Sequence, residues 1–299
     1  MLLSLLALTA GRCLAASSSA DGRRSFPMAT IPDSLRTPER RAAYLVEHYW
    51  DRFDFSDTSY IHAPEATEQG LANYLDLLRH FAAPERSAAS LRTLLTRAEQ
   101  SPALLRHLAA LLEKYLYDDG SPLRDEEMYI PVLEYLVADE ALNETERLRP
   151  RLLLEQARKN RPGSVATDFA FTRPDGREGR LRELPGDYTL LLFYAPTCDD
   201  CHAAIRRLSS SSAIQEALAE KRLTILALYP GADKEAWRKG LAKIPPEWVN
   251  AYDPAGTIQG EELYDLRRYP TIYLLDTQKR VILKEAEAEE VEKRLSILC

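Results

Sequence analysis

Leu190-Leu191-Leu192-Phe193-Tyr194-Ala195-Pro196-Thr197-Cys198-Asp199-Asp200-Cys201-His202 is the stretch whose reading decides the fold. An apolar run long enough for a buried strand leads directly into a C-x-x-C, and a helical pattern follows it. A Cys-x-x-Cys that opens a helix just after a buried strand is the arrangement of a dithiol/disulfide redox pair. Residues i and i+3 share one face of a first helical turn, so the two sulfurs can reach bonding distance with little backbone movement. The unpaired N–H groups and the macrodipole of a helix N-terminus also favour a thiolate on the first cysteine, Cys198.

Outward from this stretch, residues 161–299 mix strands and helices. Upstream, Phe169 and Phe171, the turn Pro174-Asp175-Gly176, and Leu181 suggest a β-hairpin ahead of the buried strand 188–194. Downstream, the helix that begins at the cysteines is expected to run to about Ala219. A second buried strand covers 223–229, a helix 233–243 and a short strand 248–252. Residues 270–276 and 280–283 read as a closing antiparallel hairpin, and a last helix covers about 286–297. This order predicts a mixed sheet with helices on both faces.

Residues 37–160 carry the helical period instead. Thr37-Pro38-Glu39 supplies an N-cap, a proline at the first position and a first-turn acid. Leu45, Val46, Tyr49, Trp50 and Phe53 continue at helical spacing until 54–57 end that helix. Further helices are marked by Leu71, Tyr74, Leu75 and Leu78; by Leu91, Leu94 and Leu95; and by the run opened at Ser101-Pro102. A fifth carries Tyr129 to Leu136, with Pro131 a kink or an early position. Asn143-x-x-Glu146 resembles a capping box for a sixth helix ending near Lys159, and Pro150 is expected to separate its first turns from the rest. Tyr44, Tyr49, Trp50, Phe53 and Phe55 suit a helical core better than a binding groove. His48, His62, His80 and His107 have no metal-ligand spacing and read as surface or boundary residues. The fold class is therefore α+β overall, an all-α helical domain at 37–160 followed by an α/β domain at 161–299, with Arg161-Pro162-Gly163 as the boundary.

The start of the chain differs again. Residues 1–16 hold a short apolar run, too short to span a bilayer, and read as a signal peptide, with 17–36 a linker rich in Ser, Arg and Pro. Arg12 directly before Cys13 argues against a lipoprotein site. An exported, periplasmic protein is expected, and an oxidising compartment suits disulfide chemistry. The net charge of −7 argues against nucleic acid as the main partner.

Residues 161–299 resemble the thioredoxin-like fold in its exported TlpA/ResA-like form. The resemblance is carried by Gly163-Ser164-Val165-Ala166-Thr167-Asp168-Phe169, Asp175-Gly176, the strand into Cys198-Asp199-Asp200-Cys201, Asp253-Pro254-Ala255-Gly256, Tyr264, and Tyr269-Pro270-Thr271 with Leu274-Leu275-Asp276. It implies that Pro270 is a cis-proline packed against the disulfide. It also implies that Thr197, Tyr269 and Pro270 border the substrate. The helical half is similar to a domain of unknown function that precedes thioredoxin-like domains in exported bacterial proteins, on the strength of Tyr44-Leu45 and His48-Tyr49-Trp50-Asp51-Arg52-Phe53-Asp54-Phe55. Three departures matter. Thr197 stands where the family usually has Trp, Leu192 where thioredoxins have a buried Asp, and Ala204 where ResA-like proteins have a Glu. Without either carboxylate the proton acceptor for the second thiol is unassigned.

The expected chemistry is thiol–disulfide exchange, with Cys198 attacking and Cys201 resolving. Asp199 and Asp200 add negative charge beside Cys198, disfavour its thiolate, and point to the reducing side. The expected partners are protein thiols and disulfides, a membrane-bound or soluble electron donor, and an unidentified partner for the helical domain. Cys198-x-x-Cys201-His202 also fits c-type haem attachment, but Met1, Met28 and Met128 are the only methionines and no His follows His202. Zinc lacks a second ligand pair, so no cofactor and no metal are expected. A peroxiredoxin-type site is set aside because Pro196 and Thr197 are adjacent to the cysteine. The rival reading is a non-catalytic binding module with a structural disulfide and a partner-binding helical domain. Cys299 reads as a free terminal thiol.

Overall fold

The computed structural model describes residues 25–298. The proposed signal peptide, most of the linker's first residues and Cys299 lie outside the described residues. The described residues divide into two compact units, with the division between Pro150 and Arg151.

The first unit is helical: α1 (Pro38–His48), α2 (Pro64–Phe81), α3 (Pro84–Ala98), α4 (Pro102–Leu116), α5 (Glu126–Ala138) and the start of α6 (Glu144–Ala157). The first four begin with proline, whose fixed φ suits a helix start and whose missing N–H would have no partner there anyway. The Thr37 hydroxyl accepts from Arg40 N at 3.3 Å, the Ser101 hydroxyl from Leu104 N at 3.4 Å and the Asp125 carboxylate from Met128 N at 3.0 Å. Asn143 and Glu146 form a reciprocal capping box, Glu146 N donating to Asn143 Oδ1 at 3.0 Å and Asn143 N to Glu146 Oε2 at 2.9 Å. Leu71, Leu75, Leu94, Leu105 and Leu133 are among the fully buried side chains of this unit. Tyr49, Trp50, Phe53 and Phe55 are buried with them and pack edge and face on Phe26 and on one another, which makes them core. Tyr44 stands apart, half-buried and stacked on His48.

Two expectations fail here for local reasons. α1 stops at His48, where Asp51 N turns back to the His48 carbonyl and the Asp51 carboxylate meets His48 Nδ1 at 2.7 Å; Phe53 N then bonds Trp50 O. These three-residue turns replace the α-helical ladder while the aromatic rings stay buried. Pro150 does not divide α6, which runs unbroken from Glu144 to Ala157. A proline withholds only one ladder bond, and a helix with an exposed face can leave the freed carbonyl to solvent without ending.

The second unit is a mixed sheet. Its strands are β1 (Ala170–Thr172), β2 (Glu178–Arg180), β3 (Tyr188–Phe193), β4 (Leu223–Tyr229), β5 (Val249–Tyr252), β6 (Thr271–Leu275) and β7 (Val281–Leu283), in the order β2-β1-β5-β4-β3-β6-β7. β3, β4 and β5 are parallel; β6 runs antiparallel to β3 and β7 to β6. Central β3 is buried on both faces, so it reads as a continuous apolar run. Its alternate side chains feed two cores. Leu190 and Leu192 face α7 (Asp199–Ser210), α8 (Ser212–Ala219), α9 (Lys234–Gly240) and α11 (Ala288–Leu298), which contribute Ile205, Ile214, Trp237 and Val291. Leu191 and Phe193 face the hairpin of β1 and β2, the short α10 (Thr257–Gly260) and Tyr264. The helix expected to run on to Ala219 breaks at Ser211 into α7 and α8. In the serine run there, Ser209 and Ser210 hydroxyls donate back to the Arg206 and Arg207 carbonyls at 3.0 and 2.9 Å and compete with the helix.

Candidate active site

β3 delivers the site. It ends at Phe193, Tyr194 N still donates to Leu228 O at 3.0 Å, and a turn closed by Cys198 N on Ala195 O at 3.1 Å leads into α7. Cys198 is the N-cap, with extended backbone, and its sulfur accepts from Cys201 N at 3.0 Å. The sulfur therefore occupies the place where a serine or aspartate oxygen normally satisfies an orphan N–H.

Cys198 and Cys201 are joined as a disulfide with their Cα atoms 5.2 Å apart. Their surroundings differ sharply. Cys198 is partly exposed, whereas Cys201 is wholly buried beside Leu192, Ile205 and Ile272. The Tyr269 carbonyl oxygen lies 3.7 Å from Cys198 Sγ, and the Tyr269–Pro270 peptide is cis. The structure thus brings Cys198, Cys201, Tyr269 and Pro270 to one place, with Thr197 exposed next to the sulfur.

The supports of these groups are local. Tyr269 is half-buried, which pushes its phenol up, and its oxygen accepts from Gln259 Nε2 at 3.0 Å. Arg268 holds the approach to the proline through Glu287 at 3.2 Å and the Glu285 carbonyl at 3.2 Å. Beneath the turn, Tyr194 OH and Trp237 Nε1 donate to Asn250 Oδ1 at 3.2 and 2.8 Å. Burial pushes the Tyr194 phenol up to about 12, so it stays a neutral donor. Gly240 lets α9 close on the turn, because a Cβ there would stand 3.0 Å from Pro196 Cβ.

The charges are asymmetric. Asp199 and Asp200 are exposed in the first turn of α7. On the other side of Thr197 a cleft of about 390 Å³ is lined by Pro196, Thr197, Asp233, Glu235, Lys239 and Lys243. Asp233 is used as the cap of α9, accepting from Glu235 N and Ala236 N at 3.1 and 3.0 Å. This cleft escaped the sequence reading, because α9 and the turn before Cys198 meet only in the folded sheet. Leu192 is fully buried and Ala204 packs at the edge of the same core, so neither position offers a carboxylate. His48 and His80 pair with Asp51 and Asp76, His62 is exposed, and His107 is half-buried with its imidazole pushed down by burial. Among the described residues, no group of three or more His, Cys, Asp or Glu side chains is placed to hold a metal ion. No helix among them is long and apolar enough to cross a membrane.

The family described as a domain of unknown function (DUF5106) matches residues 9–160. No curated protein matches the chain. Among solved structures, it is similar to a thioredoxin-like protein from Bacteroides caccae, with 41% identity, 92% of this chain and 99% of that one covered, and a TM-score of 0.88. It is also similar to the C-terminal domain of an uncharacterized protein from Bacteroides fragilis, with 39% identity, coverage of 46% and 98%, and a TM-score of 0.45. A putative thiol:disulfide interchange protein DsbE from Chlorobium tepidum shares 26% identity, with coverage of 46% and 96% and a TM-score of 0.40.

Proposed function

The chain belongs to the thioredoxin-like proteins that carry a DUF5106 domain, and on that premise we propose that it is a thiol–disulfide oxidoreductase acting on protein disulfides through Cys198-Asp199-Asp200-Cys201. The observation that carries the reading is the unequal exposure of the two cysteines. A partly exposed Cys198 at a helix N-terminus can meet a substrate disulfide; a fully buried Cys201, one turn deeper, can resolve the mixed disulfide and is shielded from competing thiols. Thr197, Tyr269 and Pro270 border Cys198 and are assigned to substrate binding.

Electrons flow from the dithiol to the substrate, because Asp199 and Asp200 disfavour the Cys198 thiolate and so the reduced form. A protein dithiol, membrane-bound or soluble, restores the pair. The apolar start of the sequence supports export, and the periplasm is the proposed compartment. The helical unit is assigned to an unidentified protein partner.

Thiol trapping across a dithiothreitol/glutathione series tests this, with Cys198→Ser and Cys201→Ser variants. The expected result is a reversible couple between about −200 and −300 mV, with Cys198 the faster-alkylating thiol. A disulfide that opens only when the domain unfolds would favour the binding-module reading, which Thr197, Leu192 and Ala204 support.

A further inference from the structure

The exchange chemistry above makes no use of the cleft beyond Thr197. Pro196 and Thr197, the two residues before Cys198, line one side of it, so it opens within one residue of the attacking sulfur. Lys239 and Gly240 of α9 and Lys243 of the turn after it line another. This helix is fixed in place. Trp237 is 1% exposed, stacks on Tyr252 with ring centroids 4.3 Å apart and donates to Asn250, which ties α9 to β5. Gly240 meets Pro196 with no Cβ between them.

The charges in the cleft are not equally engaged. The Asp233 carboxylate accepts from two backbone N–H groups as the cap of α9. Glu235 sits in the first turn of that helix, where the unpaired N–H groups favour a carboxylate. Lys239 and Lys243 stand four residues apart, on one side of α9 and its continuation, and both are exposed. Among the described residues their ammonium groups have no ion pair or hydrogen bond, Glu235 included. Asp199 and Asp200 lie outside the cleft, exposed in the first turn of α7. Cys198 is thus followed by two carboxylates and has two unpaired ammonium groups across Thr197. We propose that the cleft receives an acidic side chain, Asp or Glu, that flanks the substrate cysteine on one side, a specificity role for Lys239 and Lys243 that rests on the oxidoreductase reading.

An extended substrate segment advances about 3.3 Å per residue. A side chain two or three positions from the cysteine that meets Cys198 is therefore about 7–10 Å along the chain, enough to clear the single residue Thr197. The cleft walls focus the field of the two lysines on a carboxylate placed there. An acidic residue on the opposite side of the substrate cysteine meets Asp199 and Asp200 instead and is repelled. The preference is thus for acid on one side of the cysteine, not for acidic peptides in general.

The test measures how fast the full chain, in its dithiol form, reduces symmetric disulfides of short cysteine peptides, by mass spectrometry of acid-quenched samples. In each reaction the Cys198 thiolate attacks one peptide sulfur and releases the other peptide as a thiolate. The Cys201 thiolate then displaces the bound peptide, and the two protons of the dithiol end on the two peptide thiols. The peptides carry Glu or its isostere Gln at the second and third positions, either before or after the cysteine. On one side Glu should raise the second-order rate constant about three- to tenfold over Gln, and on the other side it should lower it. The Lys239→Gln/Lys243→Gln double variant, or about 0.5 M salt, should bring the favourable Glu/Gln ratio down to about one. Equal rates for Glu and Gln on both sides, or a preference that survives in the double variant, overturn the assignment alone. Peptide disulfides that the folded dithiol does not reduce at all overturn it together with the oxidoreductase reading.

Discussion

Lys279 shows how a single residue can couple the sheet to pH. It sits at φ +60° in the turn between β6 and β7, and it is 4% exposed. Its ammonium donates to the Leu184 carbonyl at 2.9 Å and to Thr189 Oγ1 at 3.0 Å. Burial pushes its pKa below the usual lysine value, and Asp276 opposes that in part. The native state therefore releases this proton at a lower pH than the unfolded chain does. Between the lowered pKa and about 10.4 the unfolded state binds more protons, so stability rises with pH there. Lys279→Met removes the titration and leaves the Leu184 carbonyl without its donor, at a cost of about 1–3 kcal/mol. Urea midpoints at pH 7 and pH 10 check both parts: the wild type should be the more stable, and its margin should widen at the higher pH. A margin that shrinks would show that Lys279 is not buried as a cation.

The N-terminus of α7 sets two electrostatic effects against each other. The helix end offers about half a positive charge to Cys198, while Asp199 and Asp200 bring two full negative charges that water screens. The carboxylates should prevail, and Asp199→Asn with Asp200→Asn should shift the midpoint potential upward by roughly 10–30 mV. The shift should fade as salt is added, and a downward shift would contradict the reducing assignment. At this scale the sequence was most informative where burial is continuous. β3 and β4 were legible because parallel central strands are apolar on both faces, and the capping box of α6 because its two side chains are three residues apart. The break at Ser211 and the end of α1 were not, since side chains there compete locally with a helix whose apolar spacing continues. The 3₁₀ turn Thr58–His62 and the four-residue α10 are too short to show a period. The cysteines could be read from spacing alone. The lysine-bearing cleft depends on which elements the sheet order places side by side.

At the scale of the whole molecule, each unit closes its own core, and this separates stability from chemistry. Leu94 is buried among the helices of the first unit, while Leu192 shares a core with Cys201 in the second. Truncating either to alanine removes a buried side chain and should cost about 2–5 kcal/mol of the stability of its own unit. The consequences at the cysteines should differ. Cys201 is alkylated only when its surroundings open, and the frequency of that opening follows the local stability of the sheet core. Leu192→Ala should therefore raise the alkylation rate of reduced Cys201 by one to two orders of magnitude, about the factor that 1.4–2.8 kcal/mol of local destabilisation supplies. Leu94→Ala should leave that rate within about twofold, although it lowers the unfolding midpoint of the helical unit. Mass-spectrometric alkylation kinetics beside urea unfolding would separate the two. Should Leu94→Ala accelerate alkylation as strongly as Leu192→Ala, the helical unit would be part of the machinery that protects Cys201, and its assignment to an independent protein partner would fall.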